Sequence, residues 1–157
     1  MRIRTPARIA LLSLACTVVA ASAAGAQQSL TLEQARAAMD AAETEAARNQ
    51  WNLTILIVDA EGMPIYLRRM DEASARTYEV ATLKVNTALA SGMHTVDYAR
   101  ALAAGQTDSI PNGVTYPGGY LIRLGGQVVG AMSASGASGA EDAQVVRAGM
   151  AAIGARP

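Results

Sequence analysis

The run Leu53-Thr54-Ile55-Leu56-Ile57-Val58 is β-branched and apolar on both faces. A strand built from it must be covered on both sides, so the chain has to supply a layer above and below a sheet in which this strand is central. Asp59-Ala60-Glu61-Gly62 follows with turn chemistry, and residues 64–70 read as a second strand, which makes an antiparallel hairpin. A second hairpin is predicted from 120–124 and 127–133 around Gly125-Gly126, the pair that a two-residue primed turn favours.

The covering layers are legible as helices. Thr31-Leu32-Glu33-Gln34 fits a capping box, and Leu32, Ala35, Met39, Ala42 and Ala46 recur at helical spacing, which predicts a helix over 32–48. Residues 73–91 contain no Gly or Pro and carry Tyr78, Ala81, Val85, Ala88 and Leu89 along one stripe, until Gly92 stops the helix. Thr95 is placed to cap a short helix through about residue 104, with Asp97 in its first turn. Ser138-Gly139-Ala140-Glu141 is a second capping box opening a last helix. The order α-ββ-αα-ββ-α with two hairpins predicts an α+β fold, an antiparallel sheet packed by helices, rather than a doubly wound one. The long turn-rich segment before Gly119 is a candidate for function and, near Val114, for a fifth strand.

Arg2, Arg4 and Arg8 precede an apolar stretch over 9–21, and Ala24-Gly25-Ala26 supplies the small residues a signal peptidase needs. Residues 1–26 are therefore expected to be a cleaved signal peptide and 27–157 a single domain, periplasmic or secreted. The apolar stretch is short of the ~20 residues a membrane span requires, so no stable membrane insertion is expected after cleavage. Cys16, the only cysteine, leaves with the signal. The chain has 13 basic and 13 acidic residues, and loss of the three signal arginines leaves a net charge of −3, which disfavours a nucleic-acid partner.

Chemistry is sparse. His94 is the only histidine, so a nucleophilic triad would have to use it, with Ser91 and Asp97 near in sequence. The alternative is a helix-end histidine held by backbone. One histidine and no mature cysteine cannot build the usual zinc sets, and Asp71-Glu72 reads as a solvated helix start. The small-residue run 133–139 leads into a helix and could bring N–H groups to a carboxylate, or simply allow close packing. Lys84, the sole lysine, lies among apolar positions and is expected either to be buried and paired or to snorkel. Tyr116 and Tyr120 bracket Pro117-Gly118-Gly119, where rings could line a flat ligand. Among residue types that ligate haem iron, His94, Met93, Tyr116 and Tyr78 are available.

Several of these residues stand together in Val58-Asp59-Ala60-Glu61-Gly62, Arg69-Met70-Asp71, Ala81-x-x-Lys84-x-x-Thr87-Ala88, Pro117-Gly118-Gly119, the Gly126 to Gly130 segment, and Ser135-Gly136-Ala137 with Asp142. This ordered set resembles the GlcG/HbpS haem-binding family and the related C-terminal domain of PduO-type proteins, over residues 30–153. The resemblance implies a profilin-like α/β sandwich, commonly a homo-oligomer, with haem as cofactor and, in some members, haem degradation or extracellular haem sensing. Lys84 and Thr87 match the family's Lys-x-x-Thr helix, Thr95 the threonine after it, and Gly118, Gly119, Ser135 and Gly136 its glycine motifs. His94 stands where the family usually has proline and so adds a metal-ligand candidate. Met132-Ser133-Ala134 replaces Ile-Gly-Val, and Asn86 replaces a common arginine that could have met a propionate.

The resulting expectation is an exported tetrapyrrole-binding protein. Haem would lie in a cleft between the end of the long helix and the loop before Gly119, with His94 or Thr95 near the iron and Arg76 or Arg100 near a propionate. Lys84, Thr87, Tyr116, Gly118, Gly119, Ser135 and Gly136 would complete the binding set, and no catalytic group is assigned. The alternatives are a metabolic protein binding a small carboxylate at Ser135-Gly136, and a ligand-free oligomeric structural module.

Overall fold

The computed structural model describes residues 28–156, so the expected signal peptide and Cys16 lie outside the described residues. The elements are α1 (Leu32–Arg48), β1 (Thr54–Asp59), β2 (Pro64–Arg69), α2 (Ala75–Ser91), α3 (Thr95–Ala103), β3 (Gly119–Leu124), β4 (Gln127–Ser135) and α4 (Gly139–Ala152). The four strands form one antiparallel sheet in the order β2-β1-β4-β3. Its two hairpins are joined through the central β1–β4 ladder, which runs from Thr54 opposite Ser135 to Asp59 opposite Gly130. None of the described helices is long and apolar enough to cross a membrane.

The two-faced run behaves as its composition dictates. Ile55 and Ile57 are buried in a large core with Ile122, Met132, Val145 and Met150 on the α1/α4 side, while Leu56 and Val58 are buried with Ala81, Val85, Ala88 and Leu121 beneath α2. Each such side chain contributes on the order of 2 kcal/mol. Small residues set the helix spacing, since Ala35, Ala38, Ala42 and Ala46 on α1 are fully buried. Both predicted capping boxes form, Thr31 with Gln34 and Ser138 with Glu141. Gly125 and Gly126 both have positive φ, as a primed turn demands.

The differences from expectation are tertiary in origin. β4 runs on to Ser135 because β1 continues to pair with it, and β3 starts at Gly119, opposite Ser133. α2 starts at Ala75 after Ser74, and Tyr78, placed by periodicity in the buried stripe, is 46% exposed. Thr95 does not cap α3: His94 holds the N-cap position, and the threonine hydroxyl is turned to the sheet. There is no fifth strand near Val114. Its N–H instead donates to Thr87 Oγ1 at 3.0 Å, and the open edge of β3 is already occupied.

Candidate functional site

That edge is closed by the turn between α2 and α3 together with Thr95, the first residue of α3. Gly119 N–H donates to Thr95 Oγ1 at 3.1 Å, Leu121 N–H donates to His94 Nδ1 at 3.1 Å, and the Arg123 guanidinium donates to Gly92 O at 3.4 Å. The N–H groups of Gly119 and Leu121 on this edge strand are thus satisfied by side chains rather than by another strand. Thr95 is fully buried, and His94 is half-buried with its ring 4.8 Å from that of Tyr120. An Nδ1 that accepts a hydrogen bond puts the proton of the neutral ring on Nε2, so iron ligation through Nε2 requires the Leu121 contact to be given up.

Burial lowers the His94 pKa below its ordinary 6.5, helped by Arg123 and opposed by Asp97. The native state therefore holds its proton less tightly than the unfolded chain, and stability falls as pH drops through 6.5 toward the lowered value. We expect a lower urea midpoint at about pH 5 than at about pH 7, and His94→Asn to flatten that difference. An unchanged slope in the variant would count against His94 as its source.

Lys84 is buried and paired. Its ammonium donates to Asp142 Oδ2 at 2.7 Å and to Ala134 O at 2.8 Å, while Asp142 Oδ1 accepts from Ala137 N–H. The pair ties α2 to the end of β4 and the start of α4. Burial pushes the Asp142 carboxyl up and the Lys84 ammonium down, and the attraction between the two opposes both changes. Gly118 packs directly against the pair, since a Cβ there would lie 2.8 Å from Asp142 Cβ and 3.0 Å from Lys84 Nζ. Asp142 is the partner that residue-by-residue reading did not assign to Lys84. The signal was its position one residue past a capping-box glutamate, where a carboxylate at a helix start faces back toward the preceding loop.

The small-residue turn into α4 is closed by the chain's own acids. Ala137 N–H goes to Asp142 and Ser138 N–H to Glu141 Oε2, so a carboxylate ligand would have to displace them. Gly136, at φ +147°, is there for close approach, because a Cβ would come within 2.6 Å of Asn52 O.

A groove runs beside α2. Its first part, about 210 Å³, is bordered by Arg76, Thr77, Val80 and Ser135 to Ala137. The second, about 230 Å³, shares Val80, Ser135 and Ala137 with it and adds Lys84, Tyr116, Pro117 and Asp142. A further hollow of about 180 Å³ follows along the helix, between Leu83, Thr87, Ala90 and the loop residues Ile110 to Asn112. The positions on α2 are three or four apart, which places them on one helical face. The fold thus gathers Lys84, Tyr116, Ser135 and Gly136 around one groove, with Gly118 packed behind the ion pair and Thr87 lining the next hollow. Gly119, Thr95 and His94 lie together at the β3 edge. Arg76 sits at one end of the groove, whereas Arg100 is on α3 and ion-paired with Asp97 at 3.0 Å. Tyr116 is 58% exposed. Among the described residues no group of three or more His, Cys, Asp or Glu side chains converges on one point.

Fold and groove define a class: a single-domain, profilin-like α+β protein with a surface groove between its second helix and the ends of its sheet. The family described as haem degrading protein, HbpS-like, matches residues 30–151, and the chain belongs to that family. Protein GlcG of Escherichia coli (strain K12) is 31% identical over 108 residues, which is 68% of this chain and 81% of that protein. Among solved structures, a PduOC:heme complex superposes with a TM-score of 0.76 at 26% identity, covering 82% of this chain and 98% of that one. HbpS superposes with a TM-score of 0.74 at 32% identity, covering 82% and 92% respectively.

Proposed function

We propose that this chain is an exported haem-binding protein that holds the porphyrin in the groove beside α2, in the service of haem uptake, sensing or degradation. The observation that carries the reading is the groove itself, in which apolar Val80, Pro117 and Ala137 stand beside an exposed phenol, Tyr116, in a chain of the HbpS-like family. These residues fit haem. The lining is mixed, with apolar Val80, Pro117 and Ala137 beside polar Thr77, Ser135 and the Lys84–Asp142 pair; the phenol is an oxygen donor that haem iron accepts, and Arg76 offers a guanidinium to a propionate. Bound haem supplies a coloured, redox-active iron centre.

The protein's own part is to present and shield. Tyr116 faces the groove without rearrangement, whereas His94, the second donor, must first release Leu121 N–H. Lys84 and Asp142 pack against Gly118, while Thr87 fixes the loop through Val114 N–H. Each part of the groove is smaller than the ~300 Å³ at which small-molecule sites usually begin, so a homo-oligomer in which a second copy supplies the facing wall suits the reading.

Titrating hemin into the haem-free protein should shift the Soret band to a saturating end point. Tyr116→Phe should weaken binding about tenfold and change the visible bands, and His94→Ala should leave both in place. No Soret shift in the unmodified protein overturns the reading. A loss confined to His94→Ala moves the donor to the β3 edge. Export rests on the arginine-led apolar leader with Ala24-Gly25-Ala26. Mass spectrometry of protein recovered outside the cytoplasm should find Gln27 as the first residue, and an intact leader there would refute it.

A further inference from the structure

At the far end of α4 from the groove, a cleft of about 370 Å³ is bordered by Arg147, Ala151, Gly154, Ala155 and Arg156. It lies within the range of about 300–1,000 Å³ that small-molecule sites commonly occupy. We propose that this cleft is a second site that binds a small carboxylate-bearing anion between the guanidinium groups of Arg147 and Arg156.

Three features support it. No acidic side chain borders the cleft, and among the described residues neither arginine takes part in an ion pair, unlike Arg48, Arg68 and Arg100. Arg147 is already oriented, because its guanidinium donates to the hydroxyl of buried Tyr120 at 3.2 Å and so has less freedom to lose when it grips a ligand. The helix end that would repel an anion is muted by its own cap. Gly154, in the left-handed conformation, donates its N–H to Ala151 O, and Ala155 N–H donates to Met150 O, so two of the helix's last carbonyls are taken. Guanidinium groups on a floor of alanine and glycine then set the local field, and their planar fork matches a carboxylate. The site is about 18 Å along the helix from Gly139 at the groove, by the rise per residue, and its occupancy is independent of haem.

The test is a titration of haem-free protein with succinate, followed by the backbone amide resonances of Gly154 and Ala155 and the arginine side-chain N–H signals, with chloride at matched ionic strength as control. A saturable shift with succinate is expected, weakened about tenfold by Arg147→Gln and by Arg156→Gln, and less by Tyr120→Phe. Both arginines are exposed, so the variants should keep the fold, which an unchanged thermal melt verifies. A shift that chloride reproduces, or that both arginine variants leave intact, overturns the site. Tighter saturation by phosphate than by succinate overturns the carboxylate assignment.

Discussion

Replacing Lys84 by methionine is expected to cost about 3–5 kcal/mol of folding stability, read as a fall in the urea midpoint. The loss comes from what is left behind. Asp142 would keep only the Ala137 N–H, while its carboxylate stays 3% exposed with no cation within reach. The pair itself is not a large source of stability, because burial already opposes both charges. A double variant, Lys84→Met with Asp142→Leu, should therefore recover most of the loss. In the single variant the carboxyl is raised further, so the defect should shrink as pH falls and the acid is protonated, and grow as pH rises above the unfolded value near 3.8. A double variant no better than the single one would show that the pair stabilises by direct attraction.

Gly119→Ala is the second large effect, about 3 kcal/mol at the upper end of what overpacking costs. A Cβ there would come within 2.7 Å of both Lys84 O and Thr95 Cγ2. The first is helix backbone, which cannot turn aside, and the second belongs to the side chain that accepts Gly119 N–H. α2 and the start of α3 would have to separate from β3, breaking the cover of the sheet edge. Amide exchange should quicken at Leu121 and Gly119 before it does in the α1/α4 core. A variant with native stability and native exchange at Leu121 would mean that the edge tolerates a shift of that size.

Much of the fold was legible because its signals are local. Capping boxes, a two-faced β-branched run, a diglycine turn and left-handed stops each act within a few residues, and the elements they predict all form. The family resemblance likewise rested on ordered short motifs. What escaped was the partner of each polar side chain. Tyr78 keeps helical spacing with the buried stripe, yet in the fold it is left exposed. Thr95 has the chemistry of a cap but satisfies a strand edge instead, and the residue before it takes the cap position.

The sequence by itself determined the element order, the two antiparallel hairpins and that the 53–58 strand is covered on both faces, since alternation and capping are properties of neighbouring residues. The β1–β4 ladder that joins the hairpins came from the tertiary structure. Only the tertiary structure decided that Lys84 meets Asp142 across 58 residues, that His94 spends Nδ1 on Leu121, and that Arg147 leans on Tyr120. Those contacts join residues far apart in the chain. They are chosen when sheet and helices close on one another and every buried donor must find whatever acceptor the packing brings to it.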